Sequence, residues 1–72
     1  MKNFERELAY QAIADEIFVD YKIASSLVNV EPENFVEKWL VKRINKIKKL
    51  EERAIWRYFL QHLLSYKKEV GD

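Results

Sequence analysis

Hydrophobic side chains recur every three or four residues along most of this chain, a spacing that places them on one face of an α-helix. A first helical segment is predicted to begin near Asn3, whose side chain suits the N-cap position. A second segment is predicted from about Tyr21 to Val28. The apolar face of the first segment consists of Phe4, Leu8, Ala12 or Gln11, Ile13 and Ile17.

A further helical segment is predicted to begin at Pro32, because proline favours the first position of a helix. No helix-breaking residue follows before the C-terminal end of the chain. Residues 32–70 therefore form either one long basic and aromatic helix or two helices with a bend near residues 48–52. The apolar positions continue regularly from Val36 to Tyr58, which is compatible with a continuous or gently bent helix.

The scarcity of turn-forming residues indicates the fold class. The chain has one glycine and one proline among 72 residues, whereas small strand-rich domains carry turn residues about every eight to twelve positions. Alanine, leucine, glutamate and lysine are frequent, and these residues favour helix. The sequence predicts a single all-α domain over residues 1–72, with three to four helices and a long helix at the C-terminal end.

The absence of cysteine and of long apolar runs bears on the cellular compartment that we expect for the protein. Without cysteine there is neither a disulfide nor a thiolate metal site, which fits a reducing compartment. No apolar run approaches the length of a membrane span, and the N-terminal residues MKNFEREL are too acidic for a signal peptide. We expect a cytoplasmic protein that has no membrane partner.

Residues 11–28, which read QAIADEIFVDYKIASSLV, have the spacing of two short helices that meet across a tight turn. In that arrangement Ala14 allows the helices to approach closely and Val19 fills the corner between them. The pattern resembles the helix-turn-helix motif of DNA-binding regulators over residues 3–29. The passage from Leu27 to Glu33, with its Pro-Glu pair, is similar to the start of the third helix in LacI-type regulators.

The resemblance implies a small, sequence-specific DNA-binding regulator, because the second helix of such a motif reads base edges in the major groove. The turn position that usually carries glycine in these regulators is Phe18, so a helix that continues through Phe18 is the alternative. The residues that the resemblance assigns to the reading helix are Tyr21, Lys22, Ser25, Ser26 and Asn29. The cations assigned to the DNA backbone are Lys38, Lys42, Arg43 and Lys46.

Charge divides the chain into an acidic and a basic half. Residues 1–37 contain three basic and eight acidic side chains, a balance of −5, and residues 38–72 contain ten basic and four acidic ones, a balance of +6. Such a division is typical of helices that pair with one another through opposite charges. A phosphate-binding ridge at Lys42, Arg43 and Lys46 is the alternative. We favour helix pairing.

The sequence carries no constellation of catalytic or metal-binding residues. His62 is the only histidine, and it stands among large apolar neighbours with no second histidine or cysteine to complete a metal site. Ser25 and Ser26 lack the surroundings of a hydrolase nucleophile. Glu51 and Glu52 adjoin basic residues, which suits salt bridges better than acid–base chemistry. We expect a protein that is not an enzyme and that uses neither a cofactor nor a metal.

The segment from Ile55 to Tyr66, which reads IWRYFLQHLLSY, carries two apolar ridges on one predicted helix. Two ridges indicate either burial in the middle of the domain or a second surface for a partner. Because a chain of this length has few elements to surround such a helix, we expect a homodimer. The residues predicted to form this interface are Ile55, Trp56, Phe59, Leu60, Leu63 and Leu64.

Two functional hypotheses follow from the sequence. The first is a small DNA-binding regulator that dimerises through its C-terminal helix, with duplex DNA as its partner. The second is a helical protein-interaction module, an inhibitor or adaptor, whose acidic N-terminal half and aromatic C-terminal ridge dock on a larger protein. The helix-turn-helix spacing favours the first hypothesis by a narrow margin. The course of the backbone between Ile17 and Tyr21 distinguishes the two.

Overall fold

The computed structural model describes residues 2–69, and the side chains of residues 4–69. Met1 and residues 70–72, at the ends of the predicted domain, lie outside the described residues. Three helices make up the described chain: α1 (Lys2–Leu27), α2 (Pro32–Arg43) and α3 (Lys49–Glu69). The all-α prediction is confirmed.

Helix α1 is continuous through the predicted turn. Its 26 residues include Ile17, Phe18 and Tyr21 in helical conformation, so the prediction of two short helices is wrong. The physical reason lies in the side chains, because no glycine or proline interrupts α1 and Phe18 is held in the core. Asn3, the predicted N-cap, lies inside the helix. The predicted start at Pro32 is confirmed, with Glu31 in extended conformation before it.

Residues 32–70 do not form one helix. Helix α2 ends at Arg43, and Ile44 leaves the helical region with φ −139° and ψ 82°. Helix α3 begins at Lys49 after a short connection, so the break precedes the predicted bend. The connection is basic, and its apolar residues Ile44 and Ile47 pack against the core. The chain therefore turns back without a glycine.

Helices α1 and α3 form the main packing pair and run parallel to each other. The hydroxyl of Tyr10 donates to Glu51 near the starts of the two helices, at 3.3 Å. Towards their other ends, the rings of Phe18 and Tyr66 meet edge to face with centroids 5.8 Å apart. Helix α2 runs antiparallel beside the C-terminal half of α1. The fold is an up-down-up bundle of three helices.

The core is built mainly from aromatic and branched side chains. Phe18, Tyr21 and Phe59 are its centre, with Tyr21 edge to face against both Phe59 and Phe35 at centroid distances of 5.5 and 5.7 Å. Such pairs contribute about 0.5–1.5 kcal/mol each beyond the burial of their area. The buried residues of the described chain are Tyr10, Ala14, Ile17, Phe18, Tyr21, Val36, Trp39, Leu40, Ile55, Phe59 and Leu63.

Glu51 fixes the beginning of α3. Its Oε1 accepts the backbone N–H of Lys48 at 3.0 Å, which is the N3-to-N-cap half of a capping box, and its Oε2 accepts the Tyr10 hydroxyl. The bond from the Lys48 N–H is the main cause that lowers the pKa of Glu51. Desolvation and the nearby charge of Glu51 raise the pKa of Tyr10. This contact joins the first third of α1 to the start of α3.

Candidate functional site

Among the residues predicted to read DNA bases, Lys22, Ser25 and Ser26 share one side of α1, whereas Tyr21 does not reach the surface. Tyr21 is buried in the core and 9% exposed. The hydroxyls of Ser25 and Ser26 donate to the backbone carbonyls of Lys22 and Ile23, at 3.2 and 2.7 Å, within α1. The ammonium of Lys22 lies over the ring of Phe18, 5.2 Å from its centroid. These side chains are thus engaged within their own chain.

The predicted phosphate-binding cations lie elsewhere on the molecule. Lys38, Lys42 and Arg43 are exposed on α2 and line one groove together. Lys46 is exposed in the connection between α2 and α3, and Asn29 is exposed between α1 and α2. The structure therefore brings together three of the four predicted backbone cations on a face that the sequence did not predict.

The predicted partner interface on α3 divides into a buried and an accessible part. Ile55, Phe59 and Leu63 belong to the core of the single chain, so they are not available to a partner. The reason is that α1 and α2 together cover this ridge, which the sequence analysis assigned to a second copy. Trp56 and Leu60 are half-buried. Leu64 alone among the predicted interface residues is largely exposed, at 63%.

A second apolar stripe on α1 escaped the sequence analysis. It lies opposite the face that packs in the core, and its large members are exposed by 48% or more. The signal was present in the sequence, because α1 carries apolar residues on both of its faces. Phe4, Leu8 and Val19 were instead predicted to face the interior, and this prediction is wrong because the opposite face of α1 packs in the core. The stripe consists of Phe4, Leu8, Ala12, Val19, Ile23 and Leu27.

The C-terminal end of this stripe forms one wall of a groove between α1 and α2 of about 500 Å³. Ile23, Ala24 and Leu27 of α1 meet Phe35 and Trp39 of α2 along its apolar floor. Helix α2 contributes the basic rim, which consists of Lys38, Lys42 and Arg43. The groove thus combines apolar contact area with a row of cations on one side.

The remaining polar groups of the groove are already engaged with one another. Asp20, the only acidic residue in its lining, accepts a hydrogen bond from the Trp39 indole N–H at 2.7 Å. The guanidinium of Arg43 lies over the indole ring of Trp39, with Cζ 4.9 Å from the centroid. Trp39 is thereby fixed in place, and the ammonium groups of Lys38 and Lys42 dominate the charge of the rim.

His62 lies at a different place, on the exposed side of the contact between α1 and α3. Its imidazole contacts the carboxylate of Asp15 and stacks on the ring of Phe18, with centroids 5.4 Å apart. One turn earlier on α3, the hydroxyl of Tyr58 donates to Glu7 of α1. These contacts join α1 to α3, and His62 does not line the groove between α1 and α2.

Among residues 2–69, no three carboxylate or imidazole side chains gather as metal ligands would. None of the three described helices combines the length and apolar character that crossing a membrane requires. No family model, no curated protein and no solved structure matches this chain.

Proposed function

We propose that this protein is a small helical protein-interaction module whose groove between α1 and α2 binds an acidic amphipathic helix of a partner protein. The observation that carries the proposal is the pairing of an apolar floor with a one-sided basic rim. In helix-in-groove recognition, the apolar face of a ligand helix lies in a hydrophobic groove, and exposed Ile23 and Leu27 provide apolar area on the α1 side of this groove.

The apolar part of the groove supplies most of the expected affinity. Ile23 is 59% exposed and Leu27 is 79% exposed, so both can lose much of their accessible area to a ligand. Full burial of one such side chain contributes about 1.5–3 kcal/mol. The rim determines which helix fits, because Lys38 and Lys42 attract carboxylates and disfavour a basic ligand.

Duplex DNA is a second candidate ligand, favoured by one specific observation. Residues 38–49 carry six basic side chains and no acidic one, and the Arg43 and Lys46 side chains are exposed. Such a cluster attracts phosphate without reading sequence. Sequence-specific recognition lacks its reading helix, because α1 is continuous and Tyr21 is buried.

The test uses Trp39, on the groove floor, as the reporter of binding. A Trp56→Phe background leaves Trp39 as the single tryptophan of the chain. The probe is a synthetic amphipathic helix of leucine and glutamate, compared with a matched helix of leucine and lysine and with a random-sequence DNA duplex. We expect the acidic helix to change Trp39 fluorescence saturably and the basic helix to leave it unchanged.

The variants locate the binding surface. Ile23→Glu places a charge on the groove floor and is expected to weaken binding of the acidic helix by at least tenfold. Val41→Glu is the matched control, because Val41 is exposed on α2 but does not line this groove. Retention of the duplex at low salt with no binding of the acidic helix would replace the proposed function by DNA binding.

A further inference from the structure

The groove between α1 and α2 has a different chemistry at each of its ends. Leu27 of α1 and Phe35 of α2 both line it, and Leu27 is 79% exposed. Further along α2, Arg43 lines the groove and also a depression that contains Glu16 of α1. Because α2 runs antiparallel to α1, the groove passes from an apolar end at Leu27 to a basic end at Lys42 and Arg43.

One side of α2 shows the same change along its length. Glu31, Phe35, Lys38 and Lys42 follow one another at spacings of three and four residues, which places them on one side of the helix. Glu31 is exposed at the N-cap of α2, one turn before Phe35, and the two lysines line the groove beyond Phe35. A carboxylate of a ligand is therefore repelled at the apolar end and attracted at the basic end.

The α1 side of the basic end carries two carboxylates, and each has a neighbour on α2. Asp20 accepts the hydrogen bond of the Trp39 indole. Glu16 lines a depression together with Arg43. The ammonium groups of Lys38 and Lys42 belong to the α2 side of the groove. The carboxylates of a ligand are thus expected to contact the α2 side.

We propose that the ligand of this groove is a helix whose apolar and acidic residues are segregated, with its apolar half at Leu27 and its acidic half at Lys42. This inference rests on the proposed function, because it specifies the ligand of the same groove. From Glu31 to Lys42 the α2 side extends for roughly 16 Å at 1.5 Å per residue, so the matching segment has about three turns. The acidic half is the C-terminal one, because the negative end of the ligand's helix dipole is favoured beside Lys42.

The test compares two synthetic helices of identical leucine and glutamate composition. The segregated helix carries leucines in its N-terminal half and glutamates in its C-terminal half, whereas the mixed helix carries both along its whole length. Both have the same hydrocarbon staple on the side away from the groove, because such short peptides are marginal helices in water. Fluorescence of Trp39 in the Trp56→Phe background measures binding. We expect the segregated helix to bind about fivefold more tightly.

A pair of variants assigns this preference to the basic end of the groove. Lys42→Gln removes one of its cations and is expected to reduce the preference to about twofold. Lys68→Gln is the matched control, because Lys68 is exposed on α3 and does not line the groove. An equal reduction in both variants would assign the preference to the overall charge of the protein and overturn the inference.

Spin labels on the segregated helix report where each of its ends lies on the ¹⁵N-labelled protein. A label at the leucine end should broaden the amide signals of Leu27 and Val28, and a label at the glutamate end those of Lys42 and Arg43. Equal affinities of the two helices, or broadening at the opposite ends, would overturn the inference while the groove remains the binding site. Failure of both helices to bind would instead refute the proposed function, and this inference with it.

Discussion

The adjacent residues Phe18 and Val19 have opposite environments, because one face of α1 packs in the core and the other face is exposed. Phe18 is 8% exposed and packs against Phe59 and His62, whereas Val19 is 52% exposed. A turn at this point would have placed Val19 in the interior. The continuous helix instead turns Val19 outward, where it joins the exposed stripe.

We expect Phe18→Ala to destabilise the protein by about 3–5 kcal/mol, because it leaves a cavity among aromatic rings. Val19→Ala is the matched control and should change stability by less than about 1 kcal/mol. Urea denaturation followed by circular dichroism measures both. A larger loss of stability for Val19→Ala than for Phe18→Ala would contradict the burial of Phe18 and the exposure of Val19 on α1.

At the residue scale, the hydrogen bond from the Trp39 indole to Asp20 is a second contact that stabilises the fold. Asp20→Ala leaves the N–H of a buried indole without its acceptor, which costs about 1–3 kcal/mol. Asp20→Asn keeps an acceptor oxygen and is expected to lose less stability than Asp20→Ala. The two variants can be compared by thermal denaturation, and equal losses would show that the hydrogen bond itself contributes little.

At the scale of the elements, the beginning of α3 depends on Glu51. Its carboxylate accepts one bond from the helix start and one from Tyr10 on α1, so the charged form is favoured in the folded protein. Because the pKa of Glu51 is lowered on folding, its contribution to stability is fully present above the ordinary glutamate value near 4.5. The contribution is lost as the pH falls through the lowered pKa.

Glu51→Gln is therefore expected to lower the melting temperature by a few degrees at neutral pH. The difference from the wild type should shrink as the pH falls from about 4.5 through the lowered pKa of Glu51, where the wild-type carboxyl also becomes protonated. Glu52→Gln is the control for loss of one negative charge at the neighbouring position. If the difference in melting temperature between Glu51→Gln and the wild type does not change with pH, the role assigned to the charge of Glu51 is contradicted.

The elements also show how far the sequence could predict the structure. The helical class and the start at Pro32 follow from local preferences, namely few turn residues and a proline at the first helical position. The path through Phe18 depends on tertiary packing, since the apolar residues of α1 fit either two short helices or one long helix with two faces. The groove could not be predicted because it arises only when α2 folds back beside α1.

At the scale of the whole molecule, the division of charge bears mainly on the surface. The acidic groups of α1 are joined to α2 and α3 by the side chains of Trp39, Tyr58 and His62. The lysines of α2 remain at the basic rim of the groove. Affinity for an acidic helix should therefore fall as salt is raised, while the apolar contacts maintain residual binding.

The most direct test of the proposed function is a residue-resolved NMR titration of the ¹⁵N-labelled protein with the acidic leucine–glutamate helix. The account predicts that the amide shift changes cluster along the groove, at Ile23, Leu27, Lys38 and Lys42. The amides of α3 beyond Leu60 should remain unchanged. Shift changes confined to α3, or none at saturating helix concentration, would contradict the proposal that the groove between α1 and α2 is the binding site.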